Sequence, residues 1–180
     1  MNEPKKPRVQ RREPVKPVAE PALDKLGLEL TELLTKIVPK SLNSQVHAEI
    51  DMVSFVIPPN KLIESCTFMK STPELSFDYL SCITVVDYED RSDEFELLYH
   101  LVSISNRFKI ALKTLIPLQN LTIDTVTGIW RSANWHEREA HDLFGVEFKG
   151  HPNLLPLLLY DEFEGFPGRK SFPFHEYDEW

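Results

Sequence analysis

The feature that most constrains the fold is a pair of neighbouring segments with a two-residue period. Phe95, Leu97, Tyr99 and Leu101 recur at every second position of a run reaching Ile104, and Phe108, Ile110 and Leu112 alternate with Lys109 and Lys113. Successive side chains of a strand point to opposite faces, so each segment reads as a strand with one apolar face. Ser105 and Asn106 between them supply turn chemistry, which makes the pair an antiparallel hairpin. Ile83 to Tyr88 is a further strand by its β-branched content. Val46, Ala48, Ile50 and Met52 alternate with polar residues, and Val53 to Ile57 continues as a more fully buried run stopped by Pro58 and Pro59.

Helical spacing appears on either side of these strands. Leu23, Leu26, Leu30, Leu33, Leu34 and Ile37 form one stripe at intervals of three and four, ended by Pro39. Asn60 to Met69 is a short helix with Leu62, Ile63, Cys66 and Met69 inward, and Ala133 to Phe144 is another, with Gly145 placed to stop it. The expected fold class is therefore α+β, a small antiparallel or mixed sheet covered by helices, with an extended aromatic C-terminal strap. A chain of 180 residues fits one compact domain. We divide it into a flexible Pro/Lys/Arg-rich arm at 1–21, an α+β domain at 22–144 and an extended docking segment at 145–180. In that last segment Pro152, Pro156, Pro167 and Pro173 break regular structure, so its rings are expected to be covered along a surface, part of it belonging to another subunit.

The charge is uneven. Residues 1–20 carry six basic and three acidic groups, leaving a net charge of −11 on the other 160 of a chain whose total is −8. An acidic body repels nucleic acid and anionic lipid, so neither is expected as a direct partner. No apolar run approaches the ~20 residues of a membrane span, and the first twenty residues hold no signal-type apolar core. Glu3, Glu13 and Glu20 also argue against a transit peptide, and Asn120-Leu-Thr reads as a chance sequon. Cys66 and Cys82 are too few thiols for a four-thiolate iron–sulfur cluster, and both are expected to be reduced.

The densest polar cluster is Trp135-His-Glu-Arg-Glu-Ala-His-Asp-Leu-Phe-Gly145. On a helix Ala133, Ala140, Leu143 and Phe144 share the core-facing sector, while Glu137 with His141 and Arg138 with Asp142 are four apart. That spacing admits a solvated face with two ion pairs, each worth roughly 0.2–0.5 kcal/mol, or a desolvated charged network. Metal motifs fail: His136 and His141 are five apart, and neither Glu137 nor Glu139 stands three before His141. A free-standing metal-dependent hydrolase built on His136, Glu137 and His141 is the rival reading from another class. Gly165 to Ser171 lacks the spacing of a phosphate loop, and no dinucleotide fingerprint or nucleophile elbow is present. His47 and His100 read as surface or packed residues. Arg169 and Lys170 either pair within the acidic tail or clamp carboxylates of a partner.

Glu137-Arg-Glu-x-x-Asp-Leu-Phe-Gly145, then Gly150-His-Pro-x-Leu154, then Glu164-Gly-x-Pro-x-Arg-Lys170, resembles the C-type subunit of proton-pumping NADH:quinone oxidoreductase, respiratory complex I. Val86-Asp87-Tyr88, Tyr99-His-Leu101 and the approach through Ile129-Trp130 to Ala133-Asn-Trp135 add to the likeness, which covers about Leu23 to Pro173. The resemblance implies a non-redox scaffold subunit of the peripheral arm that binds no cofactor or metal itself. FMN, iron–sulfur clusters and quinone would belong to partner subunits, principally the D-type subunit that holds the quinone site and neighbouring iron–sulfur subunits. The complex would lie on the cytoplasmic face of a bacterial inner membrane, or on the matrix side if organellar. The structural and interface positions implied are Glu137, Arg138, Glu139, Asp142, Phe144, Gly145, His151, Pro152, Gly165, Pro167, Arg169 and Lys170. Leu155, Pro156, Tyr160 and Ser171 depart from the family pattern. The equivalent subunit of a membrane-bound hydrogenase or related dehydrogenase is the nearest alternative.

Overall fold

The computed structural model describes residues 23–49 and 51–173; the 1–21 arm, Ile50 of the expected alternation and the last seven residues of the strap lie outside the described residues. Asp24 starts helix α1 (Lys25–Ile37) by accepting the Gly27 amide at 2.7 Å. Leu30 and Leu34 are buried where α1 lies against strands β1 (Gln45–Ala48) and β2 (Val53–Val56). After Pro58 and Pro59 a 3₁₀ turn leads into α2 (Leu62–Ser71). Leu62, Cys66 and Met69 are buried as expected, but Ile63 stands 38% exposed and Ser65 takes the inner place. The helical wheel explains it: Ile63 is 100° round from Leu62, whereas Ser65, Cys66 and Met69 all fall within about 60° of it.

Strands β3 (Tyr79–Asp87), β4 (Glu94–Val102) and β5 (Lys109–Pro117) follow, with the short helix α3 (Glu89–Ser92) between the first two. Then come β6 (Thr122–Asp124), helix α4 (Ala133–Phe144) and β7 (Glu147–Lys149). The five-stranded sheet runs β1-β2-β5-β4-β3, with β2 and β5 parallel and every other pair antiparallel. This is a mixed sheet in an α+β fold.

The hairpin sets the core. Phe95 faces Ile116, Tyr99 faces Leu112 and Leu101 faces Ile110, each of them at most 1% exposed. Neighbouring β3 has to bring Leu80 and Ile83 to the same face although they are three apart. Ser81 is the extra residue that permits this: Leu80 pairs with Leu101 and Ile83 with Tyr99, so the bulge restores the alternation. In the β4–β5 loop, the Asn106 side-chain amide donates to the carbonyls of Glu74 and Leu75 at 3.1 and 3.2 Å, tying the hairpin to the segment before β3.

One expectation fails. The residues from Gly145 onward are not free of regular structure, because β7 pairs in parallel with β6 to form a second, two-stranded sheet. Val146 and Phe148, both buried, alternate with Glu147 and Lys149, a period too short to stand out among the prolines. The register of β4 gives a direct test. Leu97→Ala should cost about 2–5 kcal/mol of unfolding free energy, and Leu98→Ala, on the opposite face, less than half of that in denaturant titration. Equal losses would place the wrong face against the core.

Candidate functional site

Helix α4 is fixed at its start by two bonds to the beginning of β3 and the segment before it. The Trp130 indole donates to the Phe77 carbonyl at 3.0 Å, and the Ser132 hydroxyl donates to the Leu80 carbonyl at 3.1 Å. The helix then packs on β3 through Ala133 and Ala140, both buried. Gly145 ends it in the left-handed region (φ 72°), and its amide donates to the His141 carbonyl. A Cβ at Gly145 would sit 2.5 Å from the Arg169 guanidinium and 2.7 Å from the Phe166 ring, so any side chain there would be strained in backbone and would displace one of these two groups.

Glu137 is not on a solvated face. It lies in the buried sector with Ala133 and Ala140, and none of its surface is exposed. Its Oε1 accepts the Val126 amide at 2.7 Å and its Oε2 accepts the Thr125 hydroxyl at 2.5 Å, which holds the loop after β6 onto α4. Burial pushes its carboxyl up to about 7, against the pull of those two donors. His151 Nε2 stands 4.0 Å from Glu137 Oε2, both side chains fully covered. That nitrogen also lies 3.2 Å from the Asn134 carbonyl, while Nδ1 accepts the Asn153 amide at 3.1 Å. One donor and one acceptor describe a neutral imidazole, in agreement with burial lowering its tendency to protonate.

The other flank of α4 holds the strap. Arg138 donates from Nε to the Leu155 carbonyl at 2.8 Å and from Nη2 to that of Pro156 at 2.7 Å. One turn on, Asp142 Oδ2 accepts the successive amides of Leu157, Leu158 and Leu159 at 3.1, 2.7 and 2.9 Å. Burial works to raise the Asp142 carboxyl, and the three amides together outweigh it, holding it below its ordinary value. His141 Nδ1 lies 3.0 Å from the Val146 carbonyl. At the helix end, Arg169 donates to the Phe144 carbonyl at 2.8 Å with its guanidinium 4.4 Å from the Phe166 ring centroid, and the Gly168 amide donates to the Leu143 carbonyl at 2.9 Å. The Lys170 amide donates to Asp87 at the end of β3. Phe144 meets Phe95 edge-on at 5.9 Å.

The four-apart pairs read from the sequence therefore do not carry the network. Arg138 turns to carbonyls, Asp142 to amides, and Glu137 to the loop at 125–126. Sequence does not single out Thr125 and Val126, since nothing in their types marks them as partners. Glu137 is among the positions the family resemblance implies, and its burial is legible too: it lies only 40° from Ala133 on the wheel, in the core-facing stripe. Glu139, Pro152 and Gly165 are exposed and Pro167 half-buried. Among the described residues, no group of three or more His, Cys, Asp or Glu side chains is placed to hold a metal ion.

Two stability tests follow from this geometry. A carboxyl that holds its proton more tightly folded than unfolded stabilises the fold below pH 4.5 and gives that contribution up as pH rises through about 7. Glu137→Gln keeps a donor and an acceptor but not the charge. It should match the native chain near pH 4 and exceed it at pH 8 by on the order of 3 kcal/mol in paired denaturant titrations. An unchanged difference across that range would show that Glu137 titrates normally. Asp142→Ala should raise hydrogen exchange at the Leu157, Leu158 and Leu159 amides at least tenfold while leaving β4 and β5 protected.

Comparison with known proteins adds to this picture. The family described as respiratory-chain NADH dehydrogenase, 30 Kd subunit, matches residues 55–178. The second C-type subunit of NADH-quinone oxidoreductase from Rhizobium meliloti (strain 1021) is 44% identical over 126 residues, covering 70% of this chain and 69% of that protein. The C-type subunit of the same enzyme from Roseiflexus sp. (strain RS-1) is 37% identical over 142 residues, 79% and 81% of the two chains. Among solved structures, the trypsin-resistant fragment of Nqo5 superposes with a TM-score of 0.60 at 27% identity, covering 69% of this chain and 98% of the fragment. A polypeptide from the membrane-bound sulfane sulfur reductase, an archaeal respiratory membrane complex, superposes at 0.70 and 29% identity, covering 81% and 86%.

Proposed function

The chain belongs to the respiratory-chain NADH dehydrogenase 30 Kd subunit family, and we propose that it is the non-redox, C-type scaffold subunit in the peripheral arm of an NADH:quinone oxidoreductase. The observation that carries this reading is the long family match across both the sheet and the strap, joined to what the charged residues of α4 do. Glu137, Arg138 and Asp142 each bind backbone of their own chain, so this charged stretch builds a rigid part. The FMN, iron–sulfur clusters and quinone of the complex belong in this reading to partner subunits. No helix of the described residues is long and apolar enough to cross a membrane, and attachment to it runs through the complex.

We assign the body up to Phe144 as the folded platform and 145–180 as the docking segment, facing the quinone-site partner of D type and neighbouring iron–sulfur subunits at the membrane-proximal end of the arm. Arg169 acts by fastening the strap to the end of α4, through the Phe144 carbonyl and the Phe166 ring, and so sets the shape offered to a neighbour. The names and identities of the curated relatives favour NADH:quinone oxidoreductase over the sulfane sulfur reductase type of complex.

Affinity isolation of the tagged chain from gently solubilised native membranes tests the assignment. We expect it to bring down an assembly that contains flavin and iron–sulfur and reduces quinone with NADH, and removal of the chain to abolish that activity. Recovery of the chain alone, or with an assembly that lacks NADH oxidation, would overturn it.

A further inference from the structure

A segment without regular structure is held to α4 by five hydrogen bonds, and what it exhibits is apolar. Leu155, Leu158 and Tyr160 are 58, 60 and 68% exposed, while Leu157 and Leu159 between them are half-buried. The backbone that carries them is fixed by Arg138 and Asp142. Trp135, 64% exposed, stands beside the same anchor: the Arg138 guanidinium that grips the Leu155 carbonyl lies 6.0 Å from the Trp135 ring centroid. On the helical wheel Trp135 lies within about 60° of Arg138 and Asp142, so all four apolar side chains fall on the flank of α4 that the strap covers. Fixing a loop in advance removes the ordering cost a partner would otherwise meet on binding, and rows of large apolar side chains rimmed by charge mark interaction sites. At the Tyr160 end the row runs directly into Asp161, Glu162 and Glu164, all exposed.

We propose that Trp135, Leu155, Leu158 and Tyr160 form a contact ridge for a partner polypeptide whose facing surface is apolar and bordered by lysine or arginine at the Tyr160 end. This rests on the assignment of the chain as an assembly subunit and says which of its surfaces does the assembling. The charge decides the occupant. An anionic lipid surface is repelled by the three carboxylates and by a body of net −11, and a second copy of this chain would bring the same carboxylates to the contact. A basic border on another polypeptide meets them favourably.

The test is made in the native complex with the tagged full-length chain. Leu155→Ser with Leu158→Ser, and separately Asp161→Lys with Glu162→Lys and Glu164→Lys, should each lower the fraction of chain retained with the NADH-oxidising assembly about tenfold or more. Ile104→Ser, an equally exposed residue in the β4–β5 loop, should leave it unchanged. The thermal midpoints of the purified variants should match the native chain. If the serine pair perturbs folding, the lysine set decides, since its three sites are exposed. A photo-reactive side chain in place of Leu158 should capture a peptide of another subunit that contains apolar residues with lysine or arginine. Native retention of both variant sets overturns the ridge, and so does capture of lipid, of a second copy of this chain or of an acidic segment. If the unaltered chain is itself absent from the assembly, the functional assignment falls, and the ridge falls with it.

Discussion

Chain that leaves a sheet or helix still carries one amide and one carbonyl per residue, and those groups have to be satisfied where they are covered. The strap of this protein meets that requirement with ionised side chains in place of a ladder. A single oxygen of Asp142 takes three consecutive amides, a single guanidinium of Arg138 takes two consecutive carbonyls, and Arg169 takes the carbonyl left open at the end of α4. Charge-assisted bonds of this kind are stronger than neutral ones. They let a proline-containing stretch lie flat on a helix without pairing to any strand.

The same helix does a different task on its inner side. Ala133 and Ala140 let α4 approach β3 closely, and between them Glu137 reaches across to the loop at 125–126. Two layers on opposite flanks of α4 are thereby fixed to it, the small β6–β7 sheet with its loop on one and the strap on the other. This is why the four-apart pairs that look natural on a wheel are absent. A carboxylate already holding three amides gains little from an arginine, and an arginine with two carbonyls is likewise occupied. The cost is carried at Glu137, where a fully covered carboxyl with two donors still sits above its usual range.

Much of this is legible in the residues alone. The period-two runs mark β4 and β5 with the correct inward residues, and the boundaries of α4 with its stop at Gly145 match the sequence reading residue for residue. Periodicity succeeds there because long elements with one wet face record their burial in alternation. It fails where burial is not apolar. Asp142 lies opposite the core sector, and its bonds go to the strap, distant by more than a dozen residues. Ile63 is placed inward by its hydrophobicity and outward by its angle on the wheel, and the angle wins. The bulge at Ser81 and the pairing of β7 with β6 depend on a partner strand, and no local residue type announces either.

A covered carboxyl held near neutrality beside a histidine is the pattern that often marks acid–base chemistry, so the Glu137–His151 pair has to be judged on its bonds. Both oxygens of Glu137 already accept donors from the loop at 125–126. His151 has its Nε2 against the Asn134 carbonyl and its Nδ1 under the Asn153 amide, and neither side chain has any exposed surface. A general acid or base has to come within hydrogen-bond reach of a substrate proton, and in this pair every position from which that reach would start is taken by the chain itself. The pair instead joins three separate pieces of backbone: the loop after β6, the start of α4 and the turn after β7. Its shifted acidity follows from that burial, in the same way that the charge of Asp142 follows from the amides it gathers. In both cases the ionisable group is set by the segment it holds in place, and what those segments finally present outward is apolar side chains on an immobilised backbone.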